Sequence, residues 1–192
     1  MEKFSLPRQL LVCAVMSLLA LGILRFVQHA ELPAALLAGL PWRQQLALGF
    51  ALGLVAGGAS VVSSLRKPDD ATVRRTADSY GRLDLRGLNP LWIALAAGIG
   101  EELLFRAALQ PLLGIWLSSL LFVAMHSAAY DFSRLDRTAL TQAAGVLGMS
   151  LVFGLVFAQG GLLTAMTAHT VIDICGLYAV RRVVEIHRAG TS

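Results

Sequence analysis

The stretch LWIALAAGIGEELLFRAAL, residues 91–109, decides how this sequence folds. It is long and apolar enough to cross a bilayer, because about 20 mainly apolar residues in a helix span roughly 30 Å of hydrocarbon. Glu101, Glu102 and Arg106 interrupt it. Ionisable side chains are costly in hydrocarbon, so a membrane helix that keeps them turns them toward a bundle interior or a watery cavity. The stretch therefore predicts a membrane-spanning helix that carries a functional site.

The rest of the chain has the composition of a membrane protein. Of its 192 residues 56% are hydrophobic and 15% are charged, against about 25% charged in an ordinary soluble domain. Apolar runs separated by short polar breaks predict an all-α, polytopic transmembrane bundle of six spans. The predicted spans are residues 9–27, 44–65, 91–109, 111–129, 139–158 and 161–180.

Proline and glycine mark the predicted breaks. Asn89 with Pro90 begins the third span, Pro111 separates the third span from the fourth, and Gly160 with Gly161 separates the last two. We expect one membrane domain over residues 1–192. It divides into two N-terminal spans (1–65), a polar cytoplasmic loop (66–89), a four-helix core with the site (90–180) and a basic cytoplasmic tail (181–192).

Two features of single spans bear on packing and on processing. Gly49, Gly53 and Gly57 recur every four residues in the second span, a pattern that lets membrane helices approach closely. The basic N-terminus followed by an apolar run also resembles a secretory signal, but further spans follow it without a small-residue cleavage site. We therefore expect a retained anchor, and we expect Cys13 and Cys175 to be packing residues.

The basic residues predict the orientation of the bundle. If the N-terminus is cytoplasmic, Arg43 falls outside and nearly all other basic residues between the spans fall inside, as the positive-inside rule requires. We expect both termini in the cytoplasm and an integral, multi-pass protein of the cell membrane. The net charge of +4 therefore does not indicate a nucleic-acid partner. The inside residues are Lys3, Arg8, Arg66, Lys67, Arg74, Arg75, Arg82, Arg86, Arg134, Arg137, Arg181, Arg182 and Arg188.

Titratable side chains within three of the spans form the candidate site. Glu102 and Arg106 are four residues apart and share a helical face, which predicts an ion pair. Glu101 lies about 100° around the helix from Glu102 and is left for chemistry. A purely structural lock between helices is the alternative, and either histidine alone could be a helix-to-helix hydrogen-bond donor. The full set is Glu101, Glu102, Arg106, His126, His169 and Asp173.

These residue types suit the hydrolysis of a peptide bond. A carboxylate can take a proton from water while imidazoles hold the water or stabilise the oxyanion. Glu101, His126 and His169 could equally bind a divalent metal such as zinc, with one position left for water. Asp173 either orients His169 or completes the site directly. The residues alone leave these alternatives open.

Three short motifs resemble the CPBP family of CAAX-type and bacteriocin-processing intramembrane proteases. GEELLFR at residues 100–106 is similar to its EExxxR motif, FVAMH at 122–126 to FxxxH, and HTVID at 169–173 to HxxxN/D. The motifs occur in the family's order. The resemblance, which covers residues 98–180, implies a fold that keeps all three in one membrane-embedded site.

The resemblance also implies roles. Glu101 would be the base, Glu102 and Arg106 would support it, and His126 with His169 would polarise or bind. Family members include metal-dependent and glutamic-type enzymes, and we expect the glutamic type. The partners implied are the lipid bilayer and a membrane-associated protein or peptide substrate. Asp173 stands where prenyl proteases typically have asparagine, and this chain is shorter than they are, so we expect a substrate other than a prenylated one.

Other protease classes and a non-enzymatic function are the competing interpretations. The sequence has no HExxH, as a site-2 zinc protease would, and no GxSG, as a rhomboid would. The remaining alternative is a non-catalytic membrane protein, such as a bacteriocin immunity factor, a scaffold or a proton-coupled transporter that uses the same intramembrane acids.

Overall fold

A computed structural model describes residues 4–130 and 136–189, except for the side chains of residues 128–130. Lys3 and Arg134, which enter the predicted orientation, lie outside the described residues. The fold is the predicted all-α, polytopic bundle. Five helical elements in the described residues have the length and hydropathy of membrane spans. They are Leu6–Phe26, Trp42–Arg66, Asn89–Ser127, Arg137–Gly160 and Leu162–Ala189.

The helices follow the predicted spans closely. The element order, with bounds, is α1 (Leu6–Phe26), α2 (Leu32–Leu37), α3 (Trp42–Arg66), α4 (Ala71–Tyr80), α5 (Asn89–Glu102), a π-helix (Leu103–Leu109), α6 (Gln110–Tyr130), α7 (Arg137–Gly160) and α8 (Leu162–Ala189). The predicted breaks at Asn89 and at Gly160–Gly161 are confirmed, since α5 begins at Asn89 and Gly161 has a φ of 107° between α7 and α8.

The predicted third and fourth spans correspond to α5, the π-helix and α6, which follow one another without a loop and reverse direction. The predicted break at Pro111 was wrong, because the chain reverses at Gly114. The chain stays helical through Pro111 and departs from helical geometry at Gly114, where φ is 75° and ψ is 168°. Glycine adopts this φ without the steric cost of a Cβ. In a straight helix Phe105 and Phe122 would lie about 25 Å apart. Their ring centroids are 5.0 Å apart, so the two limbs fold back on each other.

Helix α8 is the centre of the bundle. Half of its most apolar 18-residue window is buried, against 17–22% for the other long helices. The predicted packing ridge is confirmed, because Gly49, Gly53 and Gly57 of α3 lie directly against α8. A Cβ added to Gly49 would be 2.6 Å from the carbonyl oxygen of Thr164. Larger residues on this ridge would push α3 away from α8.

Polar residues close one end of the bundle. The segment 66–89, predicted as a loop, contains the helix α4, which begins because the Asp70 side chain accepts hydrogen bonds from the backbone N–H groups of Thr72 and Val73. Helix α4 packs against α8, α6 and α7. Helix α8 itself continues to Ala189, so most of the predicted tail is helical. Phe4 forms an isolated parallel bridge with Leu83 at this end.

Candidate active site

Glu102 and Arg106 form the buried base of the site. Both side chains are fully buried, and Arg106 Nε donates to Glu102 Oε2 at 3.1 Å, so the predicted ion pair is present. Arg106 Nη2 also donates to Ser150 Oγ of α7 at 2.9 Å. The guanidinium carbon lies 5.4 Å from the centroid of the Phe122 ring. Arg106 therefore joins the π-helix to α7 and α6 without reaching solvent.

Glu102 also fixes His169. Nδ1 of His169 lies 2.8 Å from Glu102 Oε1, and because a carboxylate only accepts, Nδ1 carries the proton of this hydrogen bond. The imidazole stacks on the Phe153 ring at 4.7 Å, with the two planes 13° apart. A carboxylate and an aromatic ring thus hold His169 in one orientation. Its Nε2 is left to face the rest of the site.

His126 is oriented in the same way by a different acceptor. Its Nδ1 lies 2.9 Å from the carbonyl oxygen of Phe122, one turn earlier in α6, so Nδ1 donates here as well. Its ring stacks on the ring of Phe122, with centroids 4.3 Å apart. Phe122 itself is 4% exposed and packs edge-on against Phe105. His126 therefore also presents Nε2 to the site.

The two Nε2 atoms converge on Glu101. Oε2 of Glu101 is 3.7 Å from Nε2 of His126 and 3.9 Å from Nε2 of His169. These distances are too long for hydrogen bonds. Within the described residues Glu101 Oε2 has no hydrogen-bond partner although it is buried. Asp173 Oδ2 lies 3.4 Å from Nε2 of His169. The structure therefore brings the carboxylates of Glu101 and Asp173 and the two imidazoles together around one small space.

That space is the inner part of a cavity of about 660 Å³. Glu101, His126, His169 and Asp173 line the cavity, whereas Glu102 and Arg106 lie behind its wall. The remaining lining is largely apolar near the site and includes hydroxyl-bearing side chains where α4 covers the cavity. The cavity thus extends from the acidic site toward the end of the bundle that carries α4.

The π-helix explains how adjacent residues reach different surroundings. It begins directly after Glu102, and its wider turn places four consecutive side chains, residues 105–108, in the interior. Single π-helical turns within α-helices are rare and occur often at functional sites. Here the wider turn lets Arg106 face α7 while Phe105 faces the cavity.

A metal site is not formed by the side chains as they stand. Among residues 4–130 and 136–189, no group of three or more His, Cys, Asp and Glu side chains has an arrangement that could hold a metal ion. Binding of a metal by the donor set predicted from the sequence, Glu101, His126 and His169, therefore stays a prediction.

Two residues of the site were not predicted. Ser150 holds Arg106 and Phe153 supports His169, and both lie on α7. Helix α7 has no ionisable residue within its predicted span, so hydropathy and charge gave no reason to select it. Their spacing was the available indication, because Ser150 and Phe153 are three residues apart and share one face of the helix.

Comparison with known proteins agrees with the predicted resemblance. Residues 86–175 match the family model described as type II CAAX prenyl endopeptidase Rce1-like. This segment contains all six predicted site residues. The chain is also similar to the uncharacterized protein YpbD of Bacillus subtilis (strain 168), with 36% identity over 84 residues, which are 43% of this chain and 41% of that protein. The chain thus covers well under half the length of this relative. No solved structure matches the chain.

Proposed function

Because residues 86–175 of this chain match the Rce1-like family of type II CAAX prenyl endopeptidases, we propose that the protein is an intramembrane endopeptidase. Its substrate would be a membrane-associated protein or peptide. The observation that carries the proposal is the convergence of two imidazoles on one carboxylate. His126 Nε2 and His169 Nε2 both lie within 3.9 Å of Glu101 Oε2. A water molecule between them would contact a base and two oriented imidazoles.

Glu101 is assigned the role of general base. Its Oε2 has no hydrogen-bond partner among the described side chains, so it is available to a water molecule in the cavity. His126 would accept a hydrogen bond from the same water at Nε2, since its Nδ1 already carries a proton. As the water oxygen attacks the carbonyl carbon, its proton passes to Glu101. Removing such a base lowers the rate by roughly 10²- to 10⁴-fold.

His169 is assigned the role of stabilising the negative charge that develops on the carbonyl oxygen. Asp173 Oδ2, 3.4 Å from Nε2, favours a proton at that nitrogen, and Glu102 holds the proton at Nδ1. A donor fixed in this way stabilises an oxyanion without having to reorient. When the C–N bond breaks, Glu101 returns its proton to the departing amine nitrogen. The carbonyl carbon keeps the water oxygen in a carboxylic acid, whose remaining proton passes to the newly freed amine, so the products are a carboxylate and an ammonium group.

Glu102 and Arg106 are assigned supporting roles. Neither lines the cavity, and both are fully buried. Glu102 aligns His169, and Arg106 offsets part of the negative charge of the three acids. We place the cavity opening on the cytoplasmic side, because the cavity extends toward α4 and that segment is cytoplasmic by the positive-inside rule.

The test is proteolysis by single variants. We expect Glu101→Gln, His126→Ala and His169→Ala each to lower cleavage of a co-expressed membrane-anchored substrate library by at least about 100-fold. Membrane insertion and detergent-extracted yield should stay at wild-type levels. Glu31→Gln is the matched control, because its carboxylate is 70% exposed and lies far from the site in the sequence. A variant that retains turnover removes that residue from the mechanism.

Two further measurements separate the alternatives. Activity that is lost with a chelator and restored by zinc would overturn the glutamic assignment in favour of a metal. A Glu101→Ala protein that keeps its full biological activity would favour a non-catalytic membrane protein. Cleavage that disappears while insertion is unchanged supports the enzyme.

A further inference from the structure

The side chain of Arg82 lines the cavity and makes no hydrogen bond or ion pair to another side chain in the described part of the chain. Arg82 follows α4 and lines the same cavity as Glu101 and His169. Its Nε is buried and has no hydrogen-bond partner among the described residues. Neighbouring arginines are paired: Arg75 Nη1 lies 2.8 Å from Asp136, and Arg86 Nε lies 2.8 Å from Asp84. Arg82 thus differs from Arg75 and Arg86, which are ion-paired.

The backbone holds Arg82 in a fixed position. Its carbonyl oxygen accepts from the N–H of Phe4 at 2.9 Å, and its own N–H donates to Ser79 at 3.4 Å. The N–H of Asp84 donates to the carbonyl of Phe4 at 3.2 Å, which completes the bridge between the N-terminal segment and residues 82–84. A guanidinium on an anchored backbone loses less freedom when it binds an anion, which favours binding.

The surroundings of Arg82 suit an anion better than the inner site does. Glu101 and Asp173 make the inner site acidic, so an anionic group there would be repelled. Hydroxyl-bearing side chains of α3 and α4 line the cavity together with Arg82 and can donate hydrogen bonds. They are Ser60, Ser64, Thr72, Thr76 and Ser79. The end of the cavity lined by Arg82 is therefore the end at which an anion would bind favourably.

The separation of the two ends can be measured along two helices. Leu83, next to Arg82, packs against the buried cluster that includes Ile93 of α5 and Leu177 of α8. Ile93 precedes Glu101 by eight residues, and Leu177 follows His169 by eight, which is about 12 Å along either helix. An extended tetrapeptide has about that length. One bound segment could therefore contact both ends.

We propose that Arg82 forms a subsite that binds a carboxylate of the substrate while the neighbouring peptide segment occupies the catalytic end. The proposal deepens the proposed proteolytic function and rests on it. The carboxylate would be either the C-terminal carboxylate of the peptide or an Asp or Glu side chain. Arg82 donates two hydrogen bonds to such a group in a planar geometry that lysine cannot reproduce.

The experiment measures binding, so it does not depend on turnover. The probes are dansyl-Leu-Val-Ala-Leu with a free C-terminal acid, the same peptide as its amide, and dansyl-Leu-Val-Glu-Leu-amide. Each is titrated in a neutral detergent against the full chain carrying Glu101→Gln, and dansyl fluorescence gives Kd. We expect one of the two carboxylate peptides to bind about 10- to 100-fold more tightly than the uncharged amide. Which peptide it is identifies the source of the carboxylate.

Variants assign the preference to Arg82. Arg82→Gln should bring the ratio of Kd values close to one, and Arg82→Lys should retain part of the preference. Arg86→Gln, which removes the same charge from an exposed residue on the same segment, should leave the ratio unchanged. Unchanged binding of the amide by every variant shows that the cavity is intact. Comparing the ratio between variants cancels the different partition of acid and amide into micelles, because that partition is the same for every variant.

Several results would overturn the subsite. These are equal affinities for acid and amide peptides, a preference that survives Arg82→Gln, no binding of any probe, or a preference that Arg86→Gln removes equally. A wild-type protein that cleaves no peptide would contradict the proposed function but would leave a preference dependent on Arg82 intact. The two failures are therefore distinguishable.

Discussion

Glu101 and Glu102 are neighbours in the chain and have opposite surroundings. The Glu102 side chain is fully buried and has a hydrogen-bond partner on each oxygen, Arg106 at 3.1 Å and His169 at 2.8 Å. The Glu101 side chain is 16% exposed, lines the cavity, and its Oε2 has no hydrogen-bond partner among the described residues. Residue type is the same, so the difference comes from the direction in which each side chain leaves the helix.

The difference shows how one helix can hold both a support and a reactive group. A buried carboxylate with two hydrogen-bond partners is held in one place, and it contributes to the order of the bundle. A carboxylate that lacks partners is costly to bury but is free to bind water and to exchange a proton. The comparison therefore predicts that changes at residue 102 act mainly on folding, whereas changes at residue 101 act mainly on chemistry.

Breaking the buried pair should have the largest effect on stability. Arg106→Ala leaves Glu102 buried without its cation, and Glu102→Gln leaves the Arg106 charge uncompensated. We expect either change to cost about 3–5 kcal/mol. Folded yield by fluorescence-detected size exclusion and the thermal midpoint in detergent should both fall, together with activity. Glu101→Gln should lower activity while yield and midpoint stay near wild type.

The double variant Glu102→Gln with Arg106→Met serves as the control. It removes both charges but keeps an amide oxygen for His169 Nδ1, so no unpaired ion remains. Its loss of stability should be smaller than the sum of the two single losses. Additive losses, or a Glu102→Gln protein with undiminished yield, would contradict the structural role of residue 102.

The sequence was sufficient to predict the long apolar helices and to group the charged side chains of the candidate site. Spans follow from hydropathy, and the Glu102–Arg106 pair follows from four-residue spacing in a helix. The same logic could not predict the π-helix, because its wider turn depends on packing against α1, α6 and α7. It also placed the reversal at Pro111 instead of Gly114, since proline is a stronger local signal than a glycine that the turn requires for its positive φ.

The part of the site that the sequence missed is the part without charge. Ser150 and Phe153 resemble any other residues of an apolar helix, and their roles depend on which face of α7 meets α8 and the π-helix. The partner of His169 shows the same limit. Four-residue spacing suggested Asp173 as an orienting group, and Asp173 is indeed close, but Glu102 of another helix makes the shorter contact. Contacts between helices depend on packing that one sequence does not reveal.

Ser150→Ala tests whether the hydrogen bond from Arg106 to Ser150 stabilises the fold. The change removes the acceptor of Arg106 Nη2 in a fully buried position, so we expect a loss of about 1–3 kcal/mol. The thermal midpoint should fall by less than in Arg106→Ala. Ser119→Ala is the matched control, because Ser119 is also fully buried and its hydroxyl has no hydrogen-bond partner among the described residues. If both serine variants lose the same stability, the bond to Arg106 contributes nothing.

The ion pair between Arg75 and Asp136 is accessible to solvent, unlike the pair of Glu102 and Arg106. Breaking it should therefore have the smallest effect on stability. The pKa of Asp136 is lowered, first because its carboxylate accepts the N–H of Ala139 at the start of α7, and also because Arg75 lies beside it. The folded state thus binds this proton less tightly than the unfolded state. The stabilisation is therefore complete above the ordinary pKa of aspartate and is lost as the pH falls through the lowered pKa. Asp136→Asn should have a slightly lower thermal midpoint than wild type at about pH 6, and the difference should shrink below about pH 4. A difference that is constant down to about pH 3 would show that the charge of Asp136 does not contribute to stability. The buried pair of Glu102 and Arg106, in contrast, should be insensitive to added salt over the range that screens the exposed pair of Arg75 and Asp136.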